Sequence, residues 1–167
     1  MVRIESLLSA RLFLAPQLVE DRIYFISNLS GHLSLFRMNY GGSVPEPLLP
    51  PDLALQNPHL IEGKLFFVFP KISKILVLVD KDGDENYQPM LIPITGGYPE
   101  PAFNNYLANY RVHISECDRA NNISYLSAES RTAQMNETFQ GNLVTNELVK
   151  LAESPWGTFA IAAARPS

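Results

Sequence analysis

The stretch of sequence that decides the fold is DKDGDENYQPMLIPITGGYPEP, residues 80–101. It opens with an aspartate-rich run, continues as an apolar segment and closes with a glycine pair and two prolines. Three interpretations are open: a metal-binding loop, a linker, or the turn, strand and turn of a repeated β unit. Glycine accepts the positive φ of tight hairpin turns, and proline stops a helix from continuing. The choice among the three depends on whether the pattern recurs.

The closing phrase of this stretch does recur. GGSVPEP at residues 41–47 echoes GGYPEP at residues 96–101, and each phrase follows a strand-like run, residues 33–39 and 89–95. The recurrence predicts that the phrase marks the boundary of a repeat unit, just ahead of the hydrophobic residue that begins the unit's last strand.

A second landmark is a polar turn pair that runs into an aromatic or apolar segment. It starts at positions 21, 63, 121 and 157, with spacings of 42, 58 and 36 residues. Its four copies read DRIYFI (21–26), GKLFFV (63–68), NNISYL (121–126) and, more faintly, GTFAIA (157–162). The spacings average near the ~40–50 residues expected of a four-stranded propeller blade.

The apolar segments favour an all-β fold. KILVLV at 74–79 is a short β-branched run without alternation, which indicates a strand covered on both faces, as between stacked blades. An ordinary β-sandwich core is the alternative. TNELVKLAES at 145–154 fits a short capped helix, but we interpret it as a hairpin turn followed by a strand.

The repeats therefore predict a partial β-propeller of about three four-stranded blades. The predicted blades cover residues 9–54, 55–104 and 105–153, and 154–167 would hold the first strand of a fourth. Closed propellers need at least four blades. We therefore expect this chain to be a piece of a propeller, able to self-associate through open blade edges.

The amino-acid composition argues against two classes of partner, nucleic acids and membranes. The 167 residues are 46% hydrophobic and 18% charged, enough for a core, and the net charge of −4 argues against a nucleic-acid partner, which needs a basic surface. No basic cluster suits an anionic membrane, and no apolar run approaches the ~18 residues of a span. The single cysteine, Cys117, excludes an internal disulfide. We expect a cytoplasmic protein without membrane attachment.

The aspartate-rich run holds the candidate metal ligands. Asp80, Asp82 and Asp84 alternate as in a calcium loop, because hard cations prefer clustered carboxylates. The match to an EF-hand then fails, since Gly83 stands at loop position four instead of six and Leu91 at position twelve, where a glutamate is required. A solvated β-turn is favoured, and no metal or other cofactor is expected.

No catalytic residue is predicted. His32, His59 and His113 share no metal-ligand spacing and fall in no catalytic signature. Cys117 lies between Glu116 and Asp118, whose negative charges raise the pKa of a thiol. The pattern Gly-x-Ser-x-Gly, which places a serine nucleophile, occurs nowhere in the sequence.

Two stretches carry a resemblance to a known family. The run at 80–101 and DRIYFISNLSGHLSLFRMNYGG at 21–42 resemble propeller repeats of the prolyl oligopeptidase family of serine peptidases, including its acylaminoacyl-peptidase and dipeptidyl-peptidase-like branches. An aspartate-rich turn, Glu-Asn with an aromatic residue, and a strand ending in Gly-Gly-x-Pro are shared features. The resemblance covers residues 10–104 well and 105–164 loosely.

The resemblance implies an N-terminal propeller that gates peptide access to a C-terminal α/β-hydrolase domain. That domain would be encoded downstream of this chain, the substrates would be peptides, and the parent protein would be a serine peptidase. None of its Ser-Asp-His triad maps onto these residues. The alternative is a non-enzymatic propeller that serves as a protein-interaction platform, as in Tol-associated proteins. A calcium-stabilised β module is a third hypothesis.

Overall fold

Three four-stranded antiparallel sheets make up the fold. The computed structural model describes residues 11–61, 63–80 and 85–158. In each sheet every strand pairs with the next one along the chain. The first sheet contains β1 (Leu14–Val19), β2 (Arg22–Ser27), β3 (Ser34–Asn39) and β4 (Glu46–Pro47). The second contains β5 (Phe66–Phe69), β6 (Lys74–Val79), β7 (Gln88–Pro93) and β8 (Glu100–Pro101), and the third β9 (Tyr110–Asp118), β10 (Ile123–Ser130), β11 (Asn136–Asn142) and β12 (Glu147–Ser154).

Helical structure among the described residues is limited to three single 3-10 turns. They cover Pro58–Leu60, Pro70–Ile72 and Phe103–Asn105. No helix in these parts of the chain is long and apolar enough to cross a membrane. The all-β prediction is confirmed, and so is the interpretation of residues 145–154, where β12 follows a turn and no helix forms.

One continuous core runs through the three sheets. Its buried residues include Tyr24 and Ile26 of the first sheet, Val68 and Val77 of the second, and Ile114 and Leu126 of the third. The second sheet lies between the other two, so its strand β6 is covered on both faces. Ile75–Leu78 are four consecutive residues with at most 1% exposure. An edge or surface strand would expose every second residue. The prediction that KILVLV is covered on both faces is therefore correct.

The first sheet carries a second, smaller aromatic layer on its other face. Phe25 and Phe36 stack with ring centroids 6.0 Å apart, and Phe13 packs on Phe25 at 5.2 Å. Phe25 and Phe36 are opposite each other across the β2–β3 ladder. This alternation explains why DRIYFI buries adjacent aromatic residues: Tyr24 faces the shared core and Phe25 the opposite face.

The third and fourth strands pair in the same register in the first two sheets. Arg37 pairs with Glu46 in the first sheet, as Leu91 pairs with Glu100 in the second. The amide of Leu48 donates to the Leu35 carbonyl at 2.8 Å, as that of Ala102 donates to Pro89 at 3.0 Å. The recurrent Glu-Pro dipeptides are thus the outermost strands, β4 and β8, of equivalent sheets.

This register corrects the predicted place of the glycine phrases. They lie inside a sheet, between its third and fourth strands, and do not separate one repeat from the next. The last strand begins at the glutamate of the phrase, earlier than the hydrophobic residue that was expected to begin it. The sequence misplaced the phrase because a phrase that occurs once in each repeat shows how long the repeat is, but does not show at which residue the repeat begins.

The blade boundaries 9–54, 55–104 and 105–153 stay a prediction. The three sheets span residues 14–47, 66–101 and 110–154. The fourth copy of the landmark, 157–162, falls largely outside the described residues, as does most of the segment 154–167 assigned to a further blade.

Two equivalent glycines differ in their surroundings. Gly42 and Gly96 each donate to the carbonyl three residues before them and have φ of +94° and +91°. A Cβ on Gly42 would meet nothing within 4 Å, whereas one on Gly96 would lie 2.9 Å from the carbonyl oxygen of Leu48 in the first sheet. Glycine at position 96 therefore allows both the positive φ of the turn and the close approach of the two sheets.

We expect Gly96→Ala to destabilise the fold more than Gly42→Ala. Gly42→Ala adds only the left-handed backbone penalty, about 1–2 kcal/mol. Gly96→Ala adds a clash with immobile backbone, which raises the loss by about 1–3 kcal/mol. Urea unfolding of both variants measures the difference, and equal losses would show that the sheets do not approach each other at this point.

Candidate functional site

The most distinctive polar arrangement is on the inner edge of the second sheet. β5 is the first strand of its sheet, so alternate backbone groups on one side of it have no strand partner. The carboxamide of Gln17, on β1, donates to the Phe66 carbonyl at 2.8 Å and accepts from the Val68 amide at 3.4 Å. Arg119, just after β9, donates through Nε to the Val68 carbonyl at 3.0 Å. Side chains from both neighbouring sheets thus replace the missing strand.

The Arg119 guanidinium makes two further contacts within the protein. Its guanidinium carbon lies 4.7 Å from the centre of the Phe67 ring, and Nη2 is 3.5 Å from Gln17 Oε1. A planar guanidinium can stack on a ring and donate in its own plane at the same time, which a lysine cannot do. We call Gln17, Phe67 and Arg119 the inner clasp, because they join all three sheets.

The inner edge of β9 is closed in a similar way by backbone and side chain of the second sheet. The Lys64 amide donates to the Ile114 carbonyl at 2.9 Å, and the Val112 amide donates to the Tyr87 carbonyl at 3.1 Å. Gln88 Nε2 donates to the Tyr110 carbonyl at 2.7 Å. Buried or half-buried backbone groups need such partners, because leaving one unsatisfied costs about 1–3 kcal/mol.

A cavity of about 420 Å³ opens beside the inner clasp. Its lining includes Pro16 and Phe67, the polar side chains of Gln17 and His59, and the cationic side chains of Lys64 and Arg119. Lys64 Nζ forms an ion pair with Glu116 at 3.3 Å. Among the described residues, no carboxylate, serine or cysteine side chain lines this cavity.

The aspartate-rich run connects two strands, as the turn interpretation predicted. Asp80 directly follows β6, and β7 begins at Gln88. Asp80 lines a cavity of about 690 Å³ together with Asp52 and Gln88. Asp82 and Asp84 lie outside the described residues. In the parts of the chain that the structure describes, no three His, Cys, Asp or Glu side chains are grouped to hold a metal ion, and the calcium hypothesis stays a prediction.

The three histidines lie in separate places. His32 lies between β2 and β3, His59 in the first 3-10 turn and His113 within β9. Among the described residues, these histidines and Cys117 do not form a group of three or more side chains that could hold a metal ion. Sequence reasoning singled out these residues by type and missed Gln17 and Arg119, whose role depends on the stacking of sheets and leaves no local pattern.

Cys117 is a poor nucleophile for two physical reasons. Burial raises the pKa of its thiol well above the ordinary value, and the neighbouring Glu116 carboxylate raises it further. The cations Lys64 and Arg119 act in the opposite direction without prevailing. The sequence anticipated the effect of Glu116, whereas the larger contribution, burial, required the fold.

Comparisons with known proteins identify the fold. No family model and no curated protein matches the sequence. Among solved structures, the "putative TolB" of Agrobacterium tumefaciens matches with a TM-score of 0.59 and 17% identity, covering 85% of this chain and 46% of that one. A chain of the nidogen/laminin complex matches with a TM-score of 0.56 and 14% identity, covering 86% and 49%.

Both matched proteins are β-propellers, so the three sheets are propeller blades. The chain spans about half the length of the structures it matches. Identities this low establish the fold alone, and nothing in these matches is specific to the prolyl oligopeptidase family.

We expect Arg119→Ala to lower the free energy of unfolding by about 2 kcal/mol, since it removes a charged hydrogen bond and a cation–π contact that join blades. Arg119→Lys, which keeps only the charge, should recover less than half of the loss. Arg22→Ala is the matched control, because Arg22 forms a long ion pair with the exposed Asp21, at 3.7 Å, and should change stability by less than ~0.5 kcal/mol. Equal losses in Arg119→Ala and Arg22→Ala on urea unfolding would refute the clasp.

Cys117 should react slowly with a thiol reagent in the folded protein near neutral pH and rapidly in denaturant. The raised pKa keeps the folded thiol protonated as the pH climbs past 9.0, the ordinary value, where the unfolded thiol already ionises. The free energy of unfolding should therefore fall above that pH, and Cys117→Ser should abolish this part of the fall. Rapid labelling of the native chain at pH 7 would contradict the assignment.

Proposed function

We propose that this chain is part of a β-propeller that binds polypeptide surfaces and performs no chemistry itself. The observation that carries the proposal is a row of exposed apolar residues at related positions in all three blades. Tyr40, Val44, Tyr98 and Val144 lie on the connections between third and fourth strands and are between 62% and 84% exposed. We call these four residues the rim.

The positions of the rim residues follow from the register. Val44 and Tyr98 are equivalent, each two residues after the positive-φ glycine of its turn and two before the glutamate that begins the outermost strand. Because the blades stack in the same sense, connections of the same kind lie on the same side. Scattered apolar residues on a surface are ordinary, but aromatic residues repeated along one side are typical of interfaces.

The rim is also rigidly held. The Gly97 amide donates to the Leu48 carbonyl of the preceding blade at 3.0 Å. Asn146 Oδ1, in the third blade, accepts from the Phe103 amide of the second at 2.6 Å. The rim connections of the second and third blades are therefore fixed to the blade before them, which lowers the entropy that a binding partner must overcome.

Two forms of this function differ in where the partner is encoded. In the first, supported by the resemblance of residues 21–42 and 80–101 to prolyl oligopeptidase repeats, the partner is a hydrolase domain on the same polypeptide, and the propeller gates peptide access to it. In the second, supported by the match to a TolB propeller, the partner is a separate protein. A Gly-x-Ser-x-Gly motif in the reading frame beyond Ser167 distinguishes the first form from the second.

The purified chain should not hydrolyse peptide p-nitroanilides, because its sequence has no nucleophile elbow. Hydrolysis that a serine-directed inhibitor abolishes would overturn the non-catalytic assignment.

The rim itself is tested by substitution of Tyr98. If a hydrolase domain follows, the domain produced as a separate polypeptide should bind the wild-type chain and bind Tyr98→Ser at least ~10-fold more weakly. If none follows, the same comparison is made with proteins that cross-link to the intact gene product. Leu60→Ser is the control, since Leu60 is 75% exposed and lies off the rim. Equal binding by Tyr98→Ser and wild type contradicts the rim.

A further inference from the structure

The cavity beside the inner clasp is lined from all three blades. Residues 15–18 come from β1, residues 63–67 lead into β5, and Arg119 belongs to the third blade. Its volume of about 420 Å³ lies within the ~300–1,000 Å³ that is usual for ligand pockets. The inner clasp ties these parts of the lining together through hydrogen bonds between blades, so the cavity is formed before a ligand arrives.

The charge of Arg119 has no carboxylate partner. No carboxylate of the described residues lies within ion-pair distance of its guanidinium. Arg37 is the contrast, because it is half-buried as well but lies 2.7 Å from Glu46. A charge withdrawn from water is costly unless an opposite charge compensates it. Arg119 is half-buried among neutral partners, so it is suited to an anionic ligand.

The guanidinium of Arg119 also keeps donors available. Its Nε donates to the Val68 carbonyl at 3.0 Å, and Nη2 makes only a long contact of 3.5 Å with Gln17 Oε1. Nη1 makes no hydrogen bond within the described residues. The Phe67 ring and the bond to Val68 fix the plane of the group. Two available nitrogens in a fixed plane match the two oxygens of a carboxylate, and binding then costs little entropy.

Apolar groups lie beside these donors. Pro16, Leu18 and Pro58 line the cavity together with Phe67, and Leu18 is 55% exposed. A bare inorganic anion would leave this apolar surface in water, whereas an apolar side chain next to a carboxylate would cover it. The lining therefore favours a ligand that carries both groups close together, as a peptide does.

Two further side chains refine this assignment. Lys64 is paired with Glu116 at 3.3 Å, which leaves Arg119 as the uncompensated cation of the lining. The ring of His59 bonds no described residue. A neutral imidazole has one donor and one acceptor, which a peptide amide can use and a hydrocarbon chain cannot.

We propose that this cavity binds the carboxylate of a peptide, with Arg119 as the anion ligand and an apolar side chain of the peptide on Pro16, Leu18 and Pro58. The inference goes beyond the proposed function, because no rim residue lines the cavity. Either surface can bind without the other.

A short peptide tests the proposal. Dansyl-Gly-Gly-Leu with a free carboxylate should bind the purified chain in a fluorescence titration, and its C-terminal amide should bind at least ~10-fold more weakly. Acetyl-leucine should displace the probe better than inorganic phosphate, which covers no apolar surface. The proposal is overturned by absence of binding by the free acid up to ~1 mM, by equal binding of acid and amide, or by equal displacement by phosphate and acetyl-leucine.

A second probe distinguishes the two sources of a peptide carboxylate. Dansyl-Gly-Asp-Leu amide carries its only carboxylate on a side chain. If it binds as tightly as the free acid, a side-chain carboxylate serves as the ligand. If it binds as weakly as the Gly-Gly-Leu amide, the ligand is the carboxylate at the end of the chain.

A substitution outside the inner clasp locates the site. Leu18→Glu adds a negative charge to the lining, so it should weaken binding of the free-acid probe at least ~10-fold by repelling the ligand and competing for Arg119. Because Leu18 is exposed, the fold should persist. Leu151→Glu is the matched control, since Leu151 is 49% exposed and lies on β12. Binding by Leu18→Glu that equals that of wild type or of Leu151→Glu overturns the cavity as the site.

Arg119→Lys tests the anion ligand itself. The variant keeps the charge and loses the planar pair of donors, so the free-acid probe should bind at least ~10-fold more weakly. Urea unfolding shows whether the variant is folded under the binding conditions. A folded Arg119→Lys chain that binds the probe like wild type overturns the role of Arg119, and Leu18→Glu decides the proposal if this variant does not fold.

Discussion

The structure depends on how the inner strand edges of its blades are satisfied. A blade's first strand has one row of backbone groups without a strand partner, and such groups are costly when they are shielded from water. In this chain, Gln17 and Arg119 supply the partners for β5, and backbone and side chain of the second blade supply those for β9. The partners come from neighbouring blades, so satisfying the edges also joins the blades.

This arrangement links hydrogen bonding to packing. The core of Tyr24, Val77 and Leu126 and their neighbours holds the sheets face to face, but apolar contact is not directional. Two directional contacts therefore orient the packed blades. The inner clasp acts at the inner edge, and the hydrogen bond from the Gly97 amide to the Leu48 carbonyl acts at the outer edge. Two fixed points on each pair of blades determine their relative orientation, which a propeller needs if its connections are to form a continuous surface.

Polar side chains of the inner surface join the blades. Gln17, Gln88 and Arg119 each bond a backbone group of a neighbouring blade. The buried thiol of Cys117 holds its proton, since its pKa is raised. Exposed aromatic and aliphatic residues remain on the rim connections and on β12.

The sequence by itself determined the strand class and the four-stranded repeat, because these follow from local periodicity and from glycine and proline geometry. It also predicted the strand at β12. The phase of the repeat, the difference between Gly42 and Gly96, and the roles of Gln17 and Arg119 were decided only by the tertiary structure. The phase depends on strand pairing within each sheet. The glycines, Gln17 and Arg119 depend on contacts between different blades, some of them joining residues 51 or 102 positions apart, and separations of that size leave no pattern in a single sequence.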